Sequence, residues 1–175
     1  MFAERGYDGT AIADLAKAAG VAGSVLYHHF DSKAGLWTAI LEGENQRLIE
    51  HVAAAVPTRG TKGRRLPAGV DAYFGFVEAN RTSWRLLVRE PPADAELRAL
   101  HERLERERAR GIAALYEPPP GGGGARRNKA RFTGLLATAI RAFAAWWDEN
   151  PDVPRAVVVD VVVAFSDSAA ERLLR

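Results

Sequence analysis

The chain has 175 residues, 47% of them apolar, enough for a substantial core and within the range of one domain or a small head with a larger body. Its 24 Lys and Arg stand against 22 Asp and Glu, a formal net charge of +2, which gives no ground for a general polybasic role towards nucleic acid or membrane. The absence of cysteine removes disulfides, thiolate catalysis and cysteine-held metals together; with no leader-like start and no apolar run near the ~20 residues of a membrane helix, a soluble cytoplasmic protein is expected.

Near the start, Ile12, Leu15, Ala16 and Ala19 recur at helical spacing, with Thr10 placed to cap the helix. Gly20 stands where the chain must leave that helix, in the left-handed conformation that suits glycine, and Val21 is expected to turn back towards the core. From about Gly23 a second short helix points Leu26 and Phe30 inward and Tyr27 and His28 outward, with Ser24 and Val25 near its start. Ala16 is small enough for two helices to cross closely at the corner. Ser32 can cap a third helix and put Lys33 in its first turn; a cation there opposes the helix dipole, which a bound phosphate would account for.

That third helix is expected from Lys33 to about Val56, with Leu36, Trp37, Ile40, Leu41, Leu48, Ile49 and Val52 as its buried stripe. Residues 57–67 read as a basic loop. An aromatic helix through Tyr73, Phe74, Phe76 and Val77 follows, then a short one around Trp84, Leu86 and Leu87, and after Pro91-Pro92 a long one from about Ala93 to Tyr116. Its buried stripe is Leu97, Leu100, Leu104, Ile112 and Leu115. Pro118-Pro-Pro-Gly-Gly-Gly-Gly124 reads as a flexible linker; no strand precedes it and no Gly-Lys-Ser/Thr follows, as a phosphate-binding loop would require. Two helices, about 126–149 and 153–174, complete the chain. The valine-rich run 157–163 has strand-like composition, but no second strand exists to pair with it, so it too is expected to be helical.

Glu4-Arg-Gly-Tyr-Asp-Gly-Thr10, Ala18-Ala-Gly-Val21 and Leu26-Tyr-His-His-Phe-Asp-Ser-Lys33 closely resemble the DNA-binding segment of the TetR family of one-component regulators. The resemblance covers the first quarter of the chain. It implies an all-α fold with an N-terminal helix-turn-helix head and a helical ligand-binding and dimerisation body, divided at 1–45 and 46–175. It also implies that Thr10 and Tyr27 contact phosphates, that Lys33 clamps one, that Gly23, Ser24, Val25 and His28 face bases and that His29 reaches the backbone. Ala22 departs from the pattern where a serine often caps the recognition helix, leaving that task to Ser24; Val25 replaces a frequent threonine or glycine and offers a thymine methyl an apolar contact. Only Met1–Arg5 stands where family members carry a whole first helix, so the head reads as cut short. Residues 1–41 hold Arg5, Lys17 and Lys33 against Glu4, Asp8, Asp14 and Asp31, a net of −1, and affinity for DNA of any sequence is expected to be weak.

No nucleophile, acid–base pair or metal cluster stands at workable spacing, so neither an enzyme nor a cofactor is expected. His28 and His29 are adjacent and point roughly 100° apart on a helix. The ligand pocket that the resemblance implies is expected from Tyr73, Phe76, Trp84, Leu104, Phe132 and Leu136, with His101 or Arg108 as polar handle. The penultimate helix is apolar around most of its circumference and must be buried on two sides; a homodimer through Ile140, Phe143, Trp147, Val158 and Val162 is expected. The expected function is a ligand-responsive regulator, a repressor, binding a palindromic operator as a homodimer and released by a small molecule. The alternative is a dimeric helical small-molecule-binding or interaction protein without a DNA role.

Overall fold

A computed structural model describes residues 1–57, 65–115 and 123–173, with side chains throughout except at 112–115, 123–127, 129, 130 and 173. Of the basic loop expected at 57–67, residues 58–64 lie outside the described residues, while Arg65, Leu66 and Pro67 form the first turn of a helix, where proline needs no N–H partner; most of the expected linker (118–122) and the side chains of Ile112 and Leu115 also lie outside the described residues. Every regular element among the described residues is a helix: α1 (Phe2–Arg5), α2 (Ile12–Ala19), α3 (Gly23–His29), α4 (Lys33–Ala55), α5 (Arg65–Ala79), α6 (Arg81–Val88), α7 (Ala95–Leu115), α8 (Gly123–Glu149) and α9 (Arg155–Leu173). Gly123 and Gly124, expected in the linker, belong to α8.

The chain forms two compact units, Met1–Gln46 with Thr82–Glu105, and Arg47–Arg81 with Arg106–Arg175. The segment Thr82–Glu105 therefore groups with the N-terminal residues and not with the rest of 46–175. The first unit is centred on Trp37, which Phe2 and Tyr7 meet edge-on at ring-centroid distances of 4.8 and 5.5 Å. Trp84, Leu97, Leu100 and Leu104 are buried in this unit as well. Asp94 begins α7, its carboxylate accepting from the backbone N–H groups of Glu96 and Leu97 at 2.9 and 3.0 Å.

In the second unit α5, α8 and α9 pack on one another. Val70, Phe74 and Val77 of α5, Phe132, Leu136, Ile140 and Trp147 of α8, and Val158 and Val162 of α9 are buried there. The valine run is helical because packing on two neighbouring helices offsets the modest cost of β-branching in a helix. The corner from α8 into α9 is tied by the Trp147 indole N–H, which donates to the Val153 carbonyl at 2.7 Å, and by Arg81, which donates to the carbonyl and carboxylate oxygens of Asp148.

Candidate nucleic-acid interface

Gly20 ends α2 with φ 69° and ψ 25°, the left-handed geometry its lack of a side chain makes inexpensive. Its N–H and that of Val21 return to the carbonyls of Lys17 and Ala16 and so satisfy the end of the helix. Ala16 is buried beneath the corner. Val21 does not turn inward as expected: it is 39% exposed, because this cap spends its backbone on the preceding turn and leaves the side chain outside.

Thr10 also departs from expectation. Ala11, in extended conformation, precedes the first turn of α2, and the Thr10 hydroxyl instead donates backwards to the Gly6 carbonyl at 2.7 Å. At 1% exposure Thr10 closes the turn between α1 and α2 and offers no phosphate contact. Ser24 does not cap α3 either; Ala22 occupies the N-cap position and no side chain bonds to the free amides. An alanine has no oxygen to offer, and Ser24, two residues on, is already inside the helix.

The remaining expected contacts fall together on one short element and its exit. Ser24, Val25, Tyr27, His28 and His29 are exposed on α3, Val25 at 41% and Tyr27 at 59%, with Gly23 half-buried at its start. The Ser32 hydroxyl accepts from the Gly35 N–H at 3.0 Å and starts α4, placing Lys33 in the first turn as expected. Its Nζ lies 4.3 Å from the centre of the Tyr7 ring. Burial foremost, then the Asp94 and Asp8 carboxylates, push the Tyr7 phenol up, so the ring under that cation is neutral. The aromatic face thus orients a cation that the helix dipole alone would disfavour.

Sequence reasoning missed Arg89, which donates from one guanidinium nitrogen to the carbonyls of Ala3 and Glu4 at 2.9 and 3.3 Å and so closes the carboxyl end of α1. It also missed the ion pair of Arg103 with Glu42. Both join residues more than sixty positions apart, for which local patterning carries no signal.

The expected ligand residues divide. A cavity of about 260 Å³ in the second unit is lined by Leu48, Ile49, Val52, Ala53, Val56, Pro57, Arg65, Gly69, Val70, Tyr73, Arg108, Gly111 and Ile140. Tyr73 and Arg108 are among its lining residues. Phe76, Phe132 and Leu136 are instead core residues of the same unit, because the inward positions of α5 and α8 face other helices and not the void. Trp84, His101 and Leu104 belong to the first unit, where His101 stands beside Trp37 at 6.1 Å between rings. The void was hidden in the sequence because Leu48, Ile49 and Val52 read simply as a helix stripe.

The dimer residues need a similar correction. Ile140, Trp147, Val158 and Val162 are 2, 1, 3 and 0% exposed, filling the core of their own protomer, while Phe143 is half-buried against Phe165. The uncovered face of α8 and α9 carries Leu135, Trp146, Val157, Val161 and Phe165. Between the two helices runs an apolar groove of about 570 Å³ lined by Ala139, Ala142, Phe143, Trp146, Val153, Val157, Val158 and Val161.

An exposed short helix set on a glycine corner, with every regular element among the described residues a helix, is the arrangement of a helix-turn-helix protein. Residues 1–40 match the family model of bacterial regulatory proteins, tetR family. The chain is 28% identical over 173 residues to the HTH-type transcriptional activator FasR of Mycolicibacterium smegmatis, a match spanning 95% of this chain and 76% of FasR. In fold it resembles a TetR-like transcriptional regulator from Rhodococcus sp. RHA1, with TM-score 0.78 and 22% identity over 98% of this chain and 90% of that one. FadR from Bacillus subtilis, solved in complex with stearoyl-CoA, superposes with TM-score 0.72 and 16% identity over 99% and 91%. Residues 1–40 thus carry a tetR-family DNA-binding segment, and the chain as a whole shares the fold of TetR-like transcriptional regulators. No described helix is long and apolar enough to cross a membrane, and no group of three metal-ligating side chains occurs among the described residues.

Proposed function

We propose that two copies of this chain, joined through the uncovered face of α8 and α9, seat their α3 helices in successive major grooves of a palindromic operator. The observation that carries the DNA reading is the joint exposure of Ser24, Val25, Tyr27 and His28 on a helix entered from a left-handed Gly20. Lys33, turned by Tyr7, and Tyr27 supply phosphate contacts; Gly23, Ser24, Val25 and His28 read base edges, and His29 reaches the backbone. Repression is the simplest consequence, since a bound dimer blocks polymerase without any further contact. FasR is named an activator, so the position of the operator relative to the promoter sets the sign.

The ligand is an elongated apolar molecule with an anionic end. Leu48, Val52, Val56, Val70 and Ile140 give the cavity apolar walls, and Arg65 and Arg108 are the two cationic residues among those that line it. The stearoyl-CoA bound by FadR has this chemistry. Release is a population shift: a ligand preferring the released form tenfold lowers operator affinity about tenfold, and one without preference does nothing.

The test is fluorescence anisotropy at 0.15 M salt of the protein on a duplex covering the DNA upstream of its own gene, with stearate and stearoyl-CoA as separate additions. Binding above that to a scrambled duplex, reversed by either acyl compound, is expected; equal binding to both duplexes contradicts the regulator reading. Tyr27→Ala with Lys33→Ala should weaken binding to every sequence and reduce the slope of log affinity against log salt by about two, for one cation lost from each of the two heads. His28→Ala should instead change which base pair is preferred. An unaltered affinity in the folded double variant would remove these residues from the interface.

A further inference from the structure

We infer that Arg155 is the positioning residue through which occupancy of the cavity reaches the subunit-facing helix α9; this rests on the ligand reading proposed above. Arg155 is the first residue of α9, where a cation opposes the helix dipole, so its own helix gains nothing from it. Its Nε stands 3.1 Å from Asp71 Oδ1 and one terminal nitrogen donates to Glu78 Oε2 at 2.9 Å, both carboxylates belonging to α5. Asp71, Gly75 and Glu78 are four and three residues apart and share one face of that helix. Gly75 lets the guanidinium lie against the helix surface, since a Cβ there would come within 3.2 Å of an Arg155 nitrogen.

The opposite face of α5 presents Gly69, Val70 and Tyr73 to the cavity. One helix therefore carries the cavity wall on one side and the grip on α9 on the other. Further along α9, Val157, Val161 and Phe165 form the uncovered face. Displacing α5 by filling the cavity moves the two carboxylates that hold the start of α9, and with it the face that meets the second copy. Arg155, Asp71 and Glu78 are 38, 55 and 52% exposed, so the triad contributes little to stability, and what it fixes is the register of α9 on α5.

The coupling is read as the ratio of stearoyl-CoA dissociation constants, measured by tryptophan fluorescence, in the presence and absence of the operator duplex. Linkage makes this ratio the factor by which the ligand weakens DNA binding, about tenfold in the unaltered protein. Arg155→Gln, and separately Asp71→Asn with Glu78→Gln, should bring the ratio below about two while leaving DNA-free affinity for stearoyl-CoA within about twofold. Arg155→Lys, which keeps the charge but not the fork, should fall between. Variants that keep the full ratio overturn the inference, as do variants that fail to fold or lose stearoyl-CoA binding altogether, since the triad would then serve stability or the cavity itself. A ratio of one in the unaltered protein overturns the ligand reading instead.

Discussion

Trp146→Glu combined with Val161→Glu is expected to yield folded monomers whose operator affinity falls by roughly 100-fold, the lower end of what joining two binding modules supplies. Both side chains are half exposed in the protomer, at 49 and 48%, so charging them costs much less intramolecular packing than a change in the core. On the proposed interface the same charges would be buried opposite their symmetry copies, where two like charges meet in a dry contact. Ile140→Asp separates this effect from misfolding. Its side chain is 2% exposed within the protomer, and a lone carboxylate there should unfold the second unit whatever the oligomeric state. Sedimentation distinguishes the outcomes: a compact species of half the mass for the outward pair, unfolded or aggregated protein for Ile140→Asp. An outward pair that still sediments as a dimer would place the interface elsewhere.

The second large effect is expected at Trp147, next in sequence to Trp146 but opposite in role. Its ring meets Phe74 edge-on at 5.6 Å and lies 5.7 Å from the Arg81 guanidinium carbon, while its N–H holds the α8–α9 corner through Val153. Trp147→Ala removes all three contacts and leaves a cavity, a loss of about 3–5 kcal/mol. Against the ~5–15 kcal/mol that stabilises a typical native protein this is a large share, and a fall in melting temperature of roughly 10 °C follows for a chain of this size. Trp146→Ala should leave the melting of the monomeric form nearly unchanged. Equal destabilisation by the two substitutions would contradict the assignment of inward and outward faces.

That pair of tryptophans shows where sequence reasoning succeeds and where it stops. The helices themselves were legible: α4, α7, α8 and α9 lie within a few residues of their expected spans, since Ser32 and the proline pair before α7 mark boundaries chemically, and α5 and α6 hold the residues around which helices were expected. The helical state of the valine run followed from the lack of a partner strand. Which side of α8 faces inward was not legible, because a helix apolar around most of its circumference gives periodicity nothing to distinguish, and the face was assigned to residues the protomer had already buried. Thr10 departs from its expected role for a related reason: a threonine one residue before Ala11 can cap forwards or bond backwards, and the local Gly6–Thr10 turn decides. The cavity was equally out of reach. Leu48 and Val52 look alike in sequence whether they meet a neighbouring helix or an open space, and only Tyr73 and Arg108 were placed at the void in advance.

The exposure of Ser24, Val25, Tyr27 and His28 on α3 was legible, since small and polar side chains follow the glycine corner and the apolar Leu26 and Phe30 stand one turn apart. Hydroxyl-radical footprinting of the full chain on the DNA upstream of its own gene tests the central claim most directly. Two protected half-sites of related sequence, about one helical turn or 34 Å apart or a multiple of it, both lost on adding stearoyl-CoA, are the expected result. Protection of a single isolated half-site, or none at a salt concentration of 0.15 M, would contradict a ligand-released, two-headed regulator.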